Sequence, residues 1–185
     1  AGDGTGTDDT KLAHGLGAVP HFMLFHIIEG AYGSENWPIY HHKNTAAPET
    51  DILTMNEAYP SRDESNRWSD EVPGSVLITF GNNKDVNNQE DHIGYIFSEK
   101  QGYSRFGVYT GNGNDDGTFV FLGFRPAFII IKLNSGDPET LGQEWVIVDK
   151  LREPYNGAVN RLSPSDTAAE SSDSYIDILS NGFKC

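Results

Sequence analysis

The chain has 185 residues, 37% of them hydrophobic and 20 of them glycine, a turn-rich globular composition long enough for one domain or two small ones. Its formal charge of −14 repels phosphate backbones, so nucleic acid is not an expected partner. The longest apolar runs, "FMLF" and "FIII", are too short to span a bilayer, so no membrane insertion is expected, and the single cysteine, Cys185, allows no internal disulfide.

The helical signal is poor, because no window of a dozen residues sets apolar side chains at i, i+3, i+4 and i+7 behind a cap. Strand signals recur instead. "GDGTGTDD" (2–9) is a turn-forming run. Residues 15–43 then open on a Gly-containing turn and a proline, continue through an aromatic and aliphatic run, cross a polar loop and end on Trp37-x-Ile39. Residues 44–74 are polar and Pro-containing and are expected to form a long surface connection with at most a short helical turn. "SVLITF" (75–80) alternates as a strand should, and "HIGYIFSE" (92–99) sets Ile93, Tyr95 and Phe97 on one face. Further strands are expected at 104–110, 117–124, 127–132 and 144–150. A second polar connection spans 151–173, and "SYIDIL" (174–179) closes the series. Each run is β-branched or aromatic and is bounded by Gly, Asn, Asp or Pro, which favour turns. Short strands at this spacing predict an all-β fold, an antiparallel β-sandwich of lectin-like or jelly-roll type.

The sequence repeats itself. Pro20-x-Phe22 matches Pro126-x-Phe128, Trp37-x-Ile39 matches Trp145-x-Ile147, and Gly2-Asp3-Gly4 stands before the first copy as Gly111-Asn112-Gly113 stands before the second. "ITFGNN" (78–83) corresponds to "DILSNG" (177–182). A shared frame with drifting sequence is the mark of a duplicated unit. The expected organisation is a first unit over 1–110 and a second, apparently truncated, over 111–185, packed together as one sandwich. Trp37 and Trp145 are expected at equivalent, largely buried positions. The second copy lacks a counterpart of "HIGYIFSE". An open sheet edge is therefore expected beside 174–179, with residues 174–185 or 1–12 covered by another copy of the chain or by a continuation of the same chain.

The run "GYIFSEKQGYSRFGVYTGNGNDDGTFVFLGFRPAFIIIK" resembles a repeat found in structural proteins of tailed phages, often marine ones. The likeness extends over nearly the whole chain: a Gly-x-x-Pro strand, a Trp strand ending in "YHHK", the "GYIFSE" strand, the "GYSRFGVYTGNG" linker and the "GFRPAF" strand. It implies a virion or tail-fibre protein, located on the particle and so extracellular, more firmly than it implies any chemistry.

There is no His-Glu-x-x-His spacing, no Gly-x-Ser-x-Gly elbow and no phosphate-cradling loop, and no enzymatic activity is expected. His41 and His42 are adjacent, so on a regular strand they would face opposite ways and could not share an ion. The Asp-rich turns offer hard oxygen ligands, with Asp3, Asp8, Asp9, Asp115 and Asp116 as candidates for calcium, although the same residues serve any tight turn. Tyr32, Trp37 and Trp68 are candidates for stacking on sugar rings. The expected function is assembly and host-surface attachment. Its partners would be other copies of the chain, other virion proteins or a host-surface glycan. The rivals are a carbohydrate-binding module and a capsid decoration or extracellular filament subunit.

Overall fold

Alternation along "FMLFHIIE" decides the first layer. Met23, Phe25 and Ile27 turn one way and are buried, and the residues between them turn the other. The computed structural model describes residues 10–29, 36–135, 144–172 and 176–185. The chain divides into two units, Ala1–Ser98 and Glu99–Cys185, so the boundary falls before the expected one at 110. Both units are all-β with antiparallel pairing, and no helix occurs among the described residues.

In the first unit, β2 (Phe22–Glu29) pairs with β3 (Pro38–His41), which pairs with β4 (Asp51–Thr54), and β4 with β5 (Arg62–Asp63). On its other side β2 pairs with β7 (Asp91–Phe97), completing a five-stranded sheet in the order β5-β4-β3-β2-β7. A separate ribbon joins β1 (Thr10–Ala13) to β6 (Leu77–Phe80). Met23, Phe25, Tyr40 and Ile52 from the large sheet meet Ile78 and Phe80 from the ribbon, with Leu12, Trp68 and Val86 filling the space between. Two sheets face one core, which makes the unit a β-sandwich. Phe25, Trp68, Phe80 and Tyr40 form its centre; the Phe25 and Phe80 rings lie 5.1 Å apart, edge to face. Such pairs add about 0.5–1.5 kcal/mol beyond the area they bury. β7 carries glycine at position 94 because the Phe25 ring lies across it, and a Cβ there would strike that ring.

Among the described residues the second unit has five strands in two sheets. β9 (Phe128–Lys132) pairs with β10 (Trp145–Asp149), and β12 (Gly182–Lys184) lies between β8 (Phe119–Phe121) and β11 (Asp177–Leu179). Ile129 and Val148 pack on Ile178 and Phe183, with Ala158 and Ile176 in the same core. Pro20 and Pro126, just ahead of β2 and β9, are both fully buried where a missing N–H costs nothing.

The two hairpins share their register. Phe22 lies opposite His41 and Leu24 opposite Ile39, as Phe128 lies opposite Asp149 and Ile130 opposite Ile147. The bonds at their ends match as well: the His42 N–H donates to the His21 carbonyl at 3.0 Å, and the Lys150 N–H to the Ala127 carbonyl at 3.1 Å.

Several expectations need correction. Residues 44–74 are no simple connection, for they hold β4 and β5. Residues 105–110 form no strand, because no neighbouring strand offers them a ladder. β8 pairs with β12 over 182–184, the last part of the run 177–185. The edge beside 174–179 is not open as expected: Ile176 exchanges backbone hydrogen bonds with Ala158, and the Ile178 N–H donates to Asn156 Oδ1 at 3.1 Å. Trp145 is buried, but Trp37 lies just before β3 and is only partly buried.

Candidate functional site: outward aromatic strand faces

The residues proposed as ligands do not converge. Asp3, Asp8, Asp9 and Tyr32 lie outside the described residues. Trp68 is no sugar platform, because it is fully buried, with its ring centroid 6.1 Å from that of Phe25 and 6.0 Å from that of Tyr40. Its indole N–H donates to the Asp51 carbonyl at 3.2 Å, which meets the one polar need of a buried tryptophan. Trp37 has one face covered by His26, 4.1 Å between centroids, and its backbone N–H donates to Asn56 Oδ1 at 2.9 Å.

Asp115 and Asp116 lie in an exposed turn that its own side chains close. The Asn112 amide donates to the Asp116 carbonyl at 2.8 Å, and the Asn114 N–H donates to Asn112 Oδ1 at 3.1 Å. The Asp116 carboxylate is engaged by the Lys184 ammonium, whose hydrogen bond and charge hold its pKa below the usual carboxylate value. A cation at this turn would have to displace Lys184. Among the described residues no three His, Cys, Asp or Glu side chains gather as a metal site would require.

His41 and His42 do not face opposite ways. Their rings are 5.6 Å apart, and His21 stands 4.4 Å from His42. β3 ends at His41, so His42 already belongs to the turn and escapes strand alternation. The His26 pKa is lowered, first by burial and then by the charge of His92.

A buried polar knot pins the loops that lead into β7. Arg67 Nη2 meets Asp85 Oδ2 at 2.7 Å with both side chains almost wholly covered, and Arg67 also engages Glu64. Asn87 donates to Thr10 Oγ1 at 3.1 Å and to the Gly81 carbonyl at 3.0 Å. These contacts hold the loop of residues 81–90 in place.

Outward aromatic side chains line several strand faces. Ile93, Tyr95 and Phe97 share one face of β7 as the sequence implied, and it is the exposed face. In the second unit Phe119 and Phe121 point out on either side of inward Val120, with Phe121 66% exposed. Phe128 on β9 is 57% exposed. Contiguous exposed apolar patches, where they are large, mark interaction surfaces. The sequence reading passed over Phe119, Phe121 and Phe128. Their alternation was visible, but nothing in a single sequence says which face of a two-layer fold meets the core.

The curated proteins and solved structures compared with this chain include no match. One family matches over residues 2–185, both units together, and by that match the chain belongs to the domain of unknown function DUF7483.

Proposed function

We propose that this chain is a structural module of a tailed-phage particle, part of a tail fibre or comparable appendage, working by assembly and host-surface attachment rather than by catalysis. The observation that carries this reading is the register shared by the β2–β3 and β9–β10 hairpins, down to the backbone bond at 3.0 Å in one and 3.1 Å in the other. One β unit used twice in tandem suits an extended appendage, in which each module needs its own core. The likeness of "GYSRFGVYTGNG" and "GFRPAF" to phage structural repeats supports the same reading. Outward aromatics on β7 and β8 would give the module surfaces for neighbouring copies, other virion proteins or a host glycan.

Immunogold labelling of particles from a phage encoding the chain, with antiserum raised against residues 1–185, tests the proposal. Gold on tail appendages is the expected result. Gold on the capsid shell would move the chain to the decoration class, and label confined to the particle-free lysate would overturn the virion reading.

A further inference from the structure

The edge of β9 that faces away from β10 is where the second unit differs most from the first. Ile147 on β10 spends both backbone groups on Leu162, donating at 2.9 Å and accepting at 3.1 Å. Leu162 lies on the side of β10 remote from β9. The Ile147–Ile130 pair is therefore a non-hydrogen-bonded one, and the backbone N–H and C=O of Ile130 point away from β10. By the same alternation those of Phe128 do too. Among the described residues no strand pairs with β9 on that side.

In the first unit this edge is occupied. Phe22 and Leu24, which hold the register positions of Phe128 and Ile130, lie opposite Phe97 and Tyr95 of antiparallel β7. The Phe22 ring rests 6.1 Å from that of Phe97 and is 8% exposed, whereas Phe128 is 57% exposed. The same residue type at the same register position is covered where the neighbouring strand is present and bare where it is not.

We infer that the free edge of β9 is a docking site for an added antiparallel strand of β7 chemistry. Such a strand is an extended segment with an aromatic residue opposite Phe128, an aliphatic one opposite Ile129 and an aromatic one opposite Ile130, as Phe97, Ile96 and Tyr95 stand opposite Phe22, Met23 and Leu24. The added strand would satisfy the outward groups of Phe128 and Ile130, cover the Phe128 ring and extend the β9–β10 ribbon to three strands. Backbone hydrogen bonds would supply affinity and the alternate side chains would supply choice, as in other cases of strand addition. The inference rests on hairpin geometry alone and holds whether or not the chain belongs to a virion.

The test uses the full chain and a synthetic, fluorescently labelled peptide of residues 90–99, "EDHIGYIFSE". Anisotropy should report saturable binding, and amide exchange at Phe128 and Ile130 should slow by about tenfold or more, with Phe22 and Leu24 unchanged. Ile130→Pro removes an N–H that the β9–β10 ladder does not use, so it should abolish peptide binding while leaving the melting temperature close to that of the parent. Phe128→Lys, altered only at an exposed side chain, should weaken binding about tenfold and serves should the proline variant fail to fold. Unchanged exchange at Phe128 and Ile130 under excess peptide would overturn the inference. So would Phe128→Lys binding as tightly as the parent. Slowing at Phe22 and Leu24 instead would show exchange with β7 and would overturn it as well. If sedimentation finds the chain alone self-associated with Phe128 and Ile130 already protected, the occupant is a second copy, and the docking of a separate strand is refuted.

Discussion

The His26 imidazole lies over the Trp37 indole, 4.1 Å between centroids with the planes tilted by 34°, and His26 Nδ1 is buried without a hydrogen-bond partner. Burial, with His92 nearby, holds the His26 pKa below 6.5 in the folded chain. The unfolded chain therefore binds the proton more readily, and stability falls as pH drops through 6.5 and below. Thermal melts between about pH 7 and 5 should show this loss, and His26→Gln should flatten it. An identical slope in the variant would remove His26 as the cause. The Asp149 carboxyl, held low by Arg152, acts at more acidic pH.

Arg67→Ala should cost more than Asp85→Ala. Removing Asp85 leaves Arg67 its second partner, Glu64, whereas removing Arg67 takes from the buried Asp85 carboxylate the guanidinium that meets it at 2.7 Å. Breaking a buried pair in that way costs about 3–5 kcal/mol. Urea denaturation midpoints of the two single variants check the order, and equal losses would contradict it.

Gly81 sits against the backbone of Asn66, and a Cβ at that position would run into the Asn66 carbonyl. Because the obstacle is main chain, a side chain cannot swing aside to relieve it. Gly81→Ala should therefore destabilise the first unit by about 1–3 kcal/mol, the range for overpacked interiors. Gly111→Ala, with open space around its Cβ, should change nothing measurable in the same melts.

The tryptophans should separate cleanly. Trp68→Ala empties the centre of the first core and should cost about 3–5 kcal/mol. Trp37→Ala, at a partly buried position, should cost roughly half of that or less. Melting temperatures of the two variants give the answer, and a larger loss at Trp37 would reverse the assignment of the core.

The sequence displayed its strands where apolar, β-branched or aromatic runs were bounded by turn residues, as in 75–80, 127–132 and 144–150. It hid β4 and β5, since Asp51-Ile52-Leu53-Thr54 and Arg62-Asp63 are short and set among polar residues, and their strand character comes from docking beside β3. Residues 105–110 carry strand propensity but gain no ladder, which shows the same rule from the other side. The burial of Trp68 was invisible because the residues that enclose it, Phe25, Tyr40 and Phe80, come from three separate strands. The shared hairpin register was readable in the Pro-x-Phe and Trp-x-Ile spacings. The bare edge of β9 emerged only from comparing Phe22 with Phe128 in three dimensions.

The pairing of β1 with β6 joins Thr10 to Phe80, and that of β8 with β12 joins Phe119 to Lys184. In each unit the earliest ribbon strand must wait for a partner made near the unit's end. During synthesis the β2–β3 hairpin can close as soon as it leaves the ribosome, but the sandwich cannot shut until some forty residues more have followed, about 2–8 s at ordinary elongation rates. Contacts of such sequence separation make the closing step slow, in the millisecond-to-second range typical of β topologies once all strands are present. The first unit, complete by Ser98, then has the whole translation time of the second in which to fold undisturbed by strands of matching pattern.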